Sequence, residues 1–344
     1  MKTQQFKKSI DSIEKIAVIY NLKRKKDSDD EEEYDEKETV YALRKEIEKY
    51  GFEVVLLEEN KSFLKKISQI KIDFAVNITE GRGNLRTRES LVPCILDSMC
   101  IPYSGSDGLS LGITLDKYLT HTFLKSAKIP VPQAFLVNDR NDLYSLKEIF
   151  KKEEYFIIKP RWEGSSKGIF QDSLVKNFNQ LRKKVVFIWE RYNQPSLVEE
   201  FLPNDEITAG VSGNKKPYLL GMMKIVPKDK PSLPFVYSIE NKRMWQEKIE
   251  YKPQESIPDK IQELIEDYAL RAFSLLELKD LARIDFRLDK NNHPKIIDIN
   301  PLPGLSPSYS DLSILYNLKG RSYSELIKRF LHESFKRYGF NFPE

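Results

Sequence analysis

From residue 16 to residue 78, short apolar segments alternate with longer amphipathic ones: IAVIY (16–20), TVYALRKEIEKYG (39–51), FEVVLLEE (52–59), SFLKKISQIK (62–71) and IDFAVNI (72–78). A strand–helix–strand–helix–strand order leaves few folding solutions, because strands joined through helices run parallel with right-handed crossovers. The apolar strands lack a clean in–out alternation, as expected of a sheet covered on both faces. Gly51 stands where a helix C-cap belongs. Residues 1–108, closed by a helix over SLVPCILDSM (90–99) and the segment IPYSGSDG (101–108), are therefore expected to form a parallel α/β domain.

After LDKYLTHTFLKSAKI (115–129), which begins a new unit, the grain changes to short strands and tight turns: QAFLV, YFIIKP and GIFQ, a helix near 173–190, then SLVEEFL and EITAGVSG. This pattern reads as an antiparallel sheet with a helix on one face, an α+β unit over residues 109–200. A third unit, 201–344, holds KPYLLGMMKIV (216–226), a polar stretch around SIENKRMWQEK, a long helix (259–278), a hairpin (282–304) and a C-terminal helix (322–339). The chain of 344 residues is long enough for two or three cores, and no apolar run approaches the roughly 20 residues that cross a bilayer. A soluble cytoplasmic protein is the expectation. Fifty-six basic side chains against 52 acidic ones are interspersed rather than gathered into a stripe, so nucleic acid is not expected as a partner. Cys94 and Cys100 follow no disulfide or metal pattern and read as packing residues. The run KRKKDSDDEEEYDEKE (23–38) reads as a solvated loop, although its place after the first strand is where parallel sheets present ligands, which leaves a lid role open.

The hairpin ARIDFRLDKNNHPKIIDINPLPG (282–304) carries the chemistry. Period-2 alternation puts Ala282, Ile284, Phe286 and Leu288 on one face and Arg283, Asp285 and Arg287 on the other; on the return, Ile297 and Ile299 oppose Asp298 and Asn300. Asp285 is thus expected beside Asp298. Two facing carboxylates repel unless a cation sits between them, and an all-oxygen set of Asp285, Asp298 and Asn300 suits Mg2+ completed by phosphates. A simply wet strand face gives the same alternation. In KPRWEGSSKG (159–168), Lys159 ends an apolar strand before a turn with Gly164 and Gly168 at its ends, whose N–H groups and serine hydroxyls suit phosphate oxygens, and GIF is read as the next strand. The corner LVEEFLPNDEI (197–207) clusters Glu199, Glu200 and Glu206; backbone groups of Glu200–Leu202 suit an adenine edge and Glu206 a ribose.

Together these segments, with NITEGRG, IPYSGSDGLSLGITLDKYLTHTFLKSAKIPVPQ, YSIENK and IDINPLPGLS, resemble the ATP-grasp superfamily and, within it, the D-alanine:D-alanine ligase-like carboxylate-amine ligases, over about residues 76–305. The resemblance implies two α+β units that sandwich ATP behind an N-terminal α/β domain, and a ligase that forms an acyl phosphate before an amine attacks it. It implies that Lys117, Lys159 and Lys242 meet phosphates, that Glu163, Gly164, Ser165 and Ser166 form the lid, and that Glu199, Glu200, Phe201, Leu202 and Glu206 hold the nucleoside. It further implies Asp285, Asp298 and Asn300 as ligands of two Mg2+ ions, replaceable by Mn2+, with Arg283 and the Gly304 N–H stabilising the developing negative charge. The substrate half departs from the pattern: Asp298 replaces the usual glutamate, Glu80 a usual histidine, and RGNLRTRES a usual acidic, glycine-rich stretch. Glu80, Arg82, Arg86, Arg88 and Ser306 are the substrate-side candidates. The arginines suggest a larger or more acidic partner than D-alanine, with amino acids, carboxylic acids or peptides as substrates and a homodimer left open. A small-molecule kinase and an inactive nucleotide-binding protein are the alternative readings.

Overall fold

The computed structural model describes residues 13–25, 28–151, 154–229 and 234–343. Strands β1 (Lys15–Tyr20), β2 (Glu53–Glu58) and β3 (Phe74–Asn77) form a parallel sheet in the order β2-β1-β3. Alternate residues of β1 go to opposite cores. Ile16 and Val18 pack with Leu43 and Ile47 of helix Lys37–Glu48, while Ala17 and Ile19 pack with Phe63, Ile67 and Leu96 of the other two helices. Burial on both faces explains the unbroken apolar strands.

The second sheet has the order β4-β7-β5-β6, with β4 (Ala134–Val137), β5 (Phe156–Pro160), β6 (Leu174–Val175) and β7 (Ser196–Glu200), all antiparallel. Helix Phe178–Tyr192 covers it through Leu181, Val185 and Ile188; Asn177 caps its start, and Asn193 ends it in the left-handed conformation at φ 50°. GIF is not a strand: the chain passes from the glycine turn into a 3-10 turn, Gln171–Ser173, and the next strand is the two-residue β6.

The third sheet, β10-β9-β8-β11-β12, comprises β8 (Glu206–Gly213), β9 (Tyr218–Pro227), β10 (Ile249–Lys252), β11 (Asp280–Leu288) and β12 (Pro294–Asn300). Helix Asp259–Leu275 packs on one face, against Ala282, Ile284 and Phe286 as the alternation requires. On the other face lie helices Asp311–Leu318 and Tyr323–Tyr338. The last of these also covers β1 and β3 through Leu326, Ile327, Phe330 and Phe335, so one core joins the first and third sheets. Neither helix Gly108–Leu115 nor helix Asp311–Leu318 was expected from the sequence. Cys94 and Cys100 are exposed rather than packed. No helix among the described residues is long and apolar enough to cross a membrane.

Candidate functional site

The hairpin pairs as expected, Arg283 with Asn300 and Asp285 with Asp298, but the register then shifts. Phe286 pairs with Ile296, so Ile297 is the extra residue of a β-bulge. Ile296 takes the core position expected of Ile297, and Ile297 turns instead into a cavity wall.

Each facing carboxylate already holds a protein cation. Lys117 Nζ donates to both oxygens of Asp298 at 2.8 and 2.9 Å. Arg283 reaches Asp285 at 3.0 Å and Asp311, at the start of helix Asp311–Leu318, at 2.9 Å. Asp285 also accepts from Thr208 Oγ1 at 2.9 Å and from the Asn300 amide at 3.2 Å, which leaves the Asn300 carbonyl oxygen as its acceptor toward the cavity. Burial pushes Asp298 up, but Lys117 outweighs it and holds the carboxyl below its usual range. Lys117 responds in the opposite sense: burial disfavours its charge, and Asp298 more than compensates. The repulsion inferred from the sequence is thus balanced by Lys117 and Arg283, and the carboxylate pair does not by itself demand a metal.

Lys159, at the end of β5, reaches Glu199 of β7 at 2.5 Å. Burial keeps His121, 3.7 Å from the other Glu199 oxygen, toward its neutral form. At the neighbouring corner Glu206 pairs with Arg287 at 3.3 Å, the Arg287 guanidinium lies 4.6 Å from the Phe201 ring centre, and Glu200 pairs with Lys295. The N–H groups of Glu200 and Phe201 are spent on the Gln133 and Tyr155 carbonyls.

The glycine turn is tied down. Glu163 is buried against Lys167 (2.9 Å) and Gln194 (2.7 Å), Ser166 Oγ donates to the Tyr237 carbonyl at 2.9 Å, and Ser165 and Ser166 are both left-handed at φ 49° and 59°. Two successive non-glycine residues in that region store strain at the tip. The Gly164 N–H, expected to meet an anion, donates to Glu33. That contact overturns the solvated-loop reading of the acidic run. Glu33 also pairs with Arg88 at 2.7 Å, Glu32 with Arg243 at 2.8 Å, and Asp29 with Arg191 at 2.5 Å, so residues 28–36 lie strapped over the site. Asp27 lies outside the described residues.

Two cavities of about 380 and 80 Å³ meet at Lys117, Lys242, Arg283 and Asp298. The smaller lies between the second and third sheets and is lined by Lys159, Glu199, Phe201, Leu202 and Glu206; the larger extends to Glu33, Glu80, Glu89 and Gly304. Lys242 lines both, half-buried with its ammonium 5.1 Å from the Tyr237 ring centre, and burial with Arg283 nearby lowers its pKa. Sequence reasoning missed Asp311, Asn77 and Glu89. Asp311 was legible, since Leu312, Leu315 and Tyr316 fall at helical spacing between Ser310 and Gly320.

The substrate-side arginines are spent elsewhere. Arg82 pairs with Glu59 at 2.8 Å, Arg86 with the buried Asp116 at 2.6 Å, and Arg88, only 3 % exposed, holds Glu33 and the Trp162 carbonyl. None lines either cavity. Ser306 is also turned away, its hydroxyl toward Ser308 and its carbonyl toward Ser310 and Ser313.

Glu89 is 6 % exposed and has no hydrogen-bond or ion-pair partner among the described residues. Burial pushes its pKa up to about 8, with Glu33 and Asp298 adding to that and Arg88 and Lys117 opposing it. A carboxyl with a raised folded-state pKa binds more protons folded than unfolded between the two pKa values, so its contribution to stability falls as pH rises through that window. Thermal melts between pH 5 and 8 are expected to show the wild type losing stability with pH and Glu89→Gln losing less; parallel profiles would count against the burial of this charge.

Comparison with known proteins identifies the family and the fold. The family described as D-ala D-ala ligase C-terminus matches residues 123–332. D-alanine--D-alanine ligase of Petrotoga mobilis is 31% identical over 284 residues, covering 82% of this chain and 87% of that one. An uncharacterized protein of Sinorhizobium fredii is 28% identical over 309 residues, with 85% and 86% covered. Among solved structures, D-alanine--D-alanine ligase from Bacillus anthracis complexed with ATP superposes with a TM-score of 0.72 at 22% identity, covering 95% of this chain and 99% of the other.

Proposed function

The chain belongs to the D-alanine:D-alanine ligase-like family of ATP-dependent carbon–nitrogen ligases, and on that premise we propose that it joins the carboxyl group of a small acid or amino acid to an amine through an acyl phosphate, with a substrate other than two D-alanines. The observation that carries this reading is the junction of the two cavities, where Lys117, Lys242, Arg283 and the Asp285–Asp298 pair converge.

The smaller cavity takes the nucleotide. Of the Glu200, Phe201 and Leu202 N–H groups only that of Leu202 is not spent on a backbone carbonyl, Ile297 walls the base, and Glu206 faces the ribose. Lys117, Lys159 and Lys242 neutralise phosphate charge, and Ser165 with the Gly164 N–H closes over it. Asp285, Asp298 and the Asn300 carbonyl form an all-oxygen donor set that fits a hard divalent cation such as Mg2+. When bound, that ion supplies further charge neutralisation on the phosphates. Arg283 and the Gly304 N–H face the carboxyl carbon as charge develops on its oxygens. We assign residues 1–108 and part of 201–344 to the substrate side, with 109–200 and the rest of 201–344 around the nucleotide.

The test is ADP release from ATP and Mg2+ against pairs of amino acids, with mass spectrometry of the products. Absence of ADP with every pair would sink the proposal. Nucleotide entry also requires Glu33 to yield the Gly164 N–H. A nonhydrolysable ATP analogue is therefore expected to slow amide exchange over residues 163–168 and around Lys242 and to quicken it over 29–36; unchanged exchange in all three segments would remove the lid assignment.

A further inference from the structure

The acidic residues that line the larger cavity fall into two groups. Glu32, Glu33, Glu163, Asp298 and Asp311 each hold a basic side chain. Asp35, Glu36, Glu80 and Glu89 hold none among the described residues, and all four lie toward the N-terminal sheet. Glu36 is half-buried at the end of the strap, whereas Glu89 is 6 % exposed. Burial raises the proton affinity of Glu80, Glu89 adds to that, and Arg88, itself held by Glu33, opposes it only in part. Like charges are not brought together in a buried wall without cost unless something positive arrives between them.

A second and independent observation points to a ligand in the same place. Asn77, 1 % exposed and at the end of β3, gives its side-chain oxygen to Thr79, and its amide nitrogen has no acceptor. This unmet donor belongs to a residue lining the same cavity. The ligand end of the cavity thus offers several unpaired acceptors for cationic donors and one donor for an oxygen. A simple zwitterionic amino acid has one ammonium and would leave most of these carboxylates uncompensated.

We propose that the amine-side substrate carries a second ammonium or guanidinium group, a diamino acid or an amine of that kind, received by Glu80 and Glu89 while the Asn77 amide donates to an oxygen of the same molecule. This inference rests on the ligase reading. It reverses the acidic preference expected from Arg86 and Arg88, because those arginines are consumed by Asp116 and Glu33.

The probes are 2,3-diaminopropionate, ornithine and lysine in both enantiomers, set against alanine and glutamate. ADP release is expected to be at least about tenfold more efficient with one of the diamino probes, the size of one to two charge-assisted hydrogen bonds. Glu89→Gln and, separately, Glu80→Gln are expected to raise KM for that probe by roughly tenfold while leaving KM for ATP unchanged. The same probe is expected to raise Tm of the wild type and not of either variant. ADP release that favours alanine or glutamate, or variants with an unchanged ranking, overturns the cationic substrate and leaves the ligase standing. No ADP with any pair overturns the ligase reading and this substrate assignment with it. A glutamine at either position is close in size and replaces a carboxyl that no base pairs with among the described residues, so both variants are expected to fold.

Discussion

Substituting methionine for Arg283 is expected to lower kcat by roughly a thousandfold or more, the effect of removing a cation aimed at developing transition-state charge. The same substitution is expected to cost stability. Arg283 bridges Asp285 and Asp311 within a nearly buried cluster, so its removal strands two carboxylates, a loss of about 3–5 kcal/mol for a broken buried pair. The two effects separate if kcat is measured below the variant's own Tm and ATP affinity is followed by calorimetry. Arg283→Lys keeps the charge but lacks the fork that spans both acids, and its Tm should fall between those of the wild type and Arg283→Met. A folded Arg283→Met enzyme with near wild-type kcat would remove Arg283 from the proposed chemistry.

The second large effect concerns Asp285. Read from the sequence, Asp285→Asn should relieve a repulsion and leave the free protein's stability near that of the wild type. The tertiary structure reverses that expectation, because Asp285 accepts from Arg283, Thr208 and Asn300. Asparagine removes the ion pair and replaces one of the two acceptor oxygens with an NH2 donor. Turnover is expected to fall by at least about a hundredfold, with the Mg2+ concentration for half-activity raised and Tm lowered by several degrees. Melting curves without metal and activity titrated with Mg2+ test the two halves separately; an unchanged Mg2+ requirement would exclude Asp285 from the ion's donor set.

The secondary structure around the site was readable to within a few residues wherever a pattern repeats. The parallel strands, the period-2 face of β11 and helices Phe178–Tyr192, Asp259–Leu275 and Tyr323–Tyr338 all carry apolar spacings that local chain geometry enforces. The pairing of Asp285 with Asp298 also followed from a short hairpin. The bulge at Ile297 did not, since one extra residue leaves no signature in composition and still exchanges which isoleucine meets the core. GIF has strand-like residues but follows a left-handed serine pair, so the chain leaves the turn in a direction that forms no ladder.

What the sequence determined by itself is therefore local: the strand and helix order, the polar face of the hairpin and the polar groups proposed to meet phosphates and a hard cation. Only the tertiary structure decided how the charges are partnered. Glu33 is 131 residues from the Gly164 N–H it occupies, Lys117 is 181 residues from Asp298, and Arg88 is 55 residues from the carboxylate that absorbs it. No spacing rule reaches across such distances, because these partners meet through the packing of three sheets rather than along one element. The acidic run shows the same thing. Its composition suits water, yet it lies against the exposed Arg191 and Arg243 and the buried Arg88, and a buried cation recruits a carboxylate from wherever the fold brings one near. The same packing leaves Glu80 and Glu89 without an ion-pair partner among the described residues, because the nearby Arg88 and Lys117 are engaged by Glu33 and Asp298.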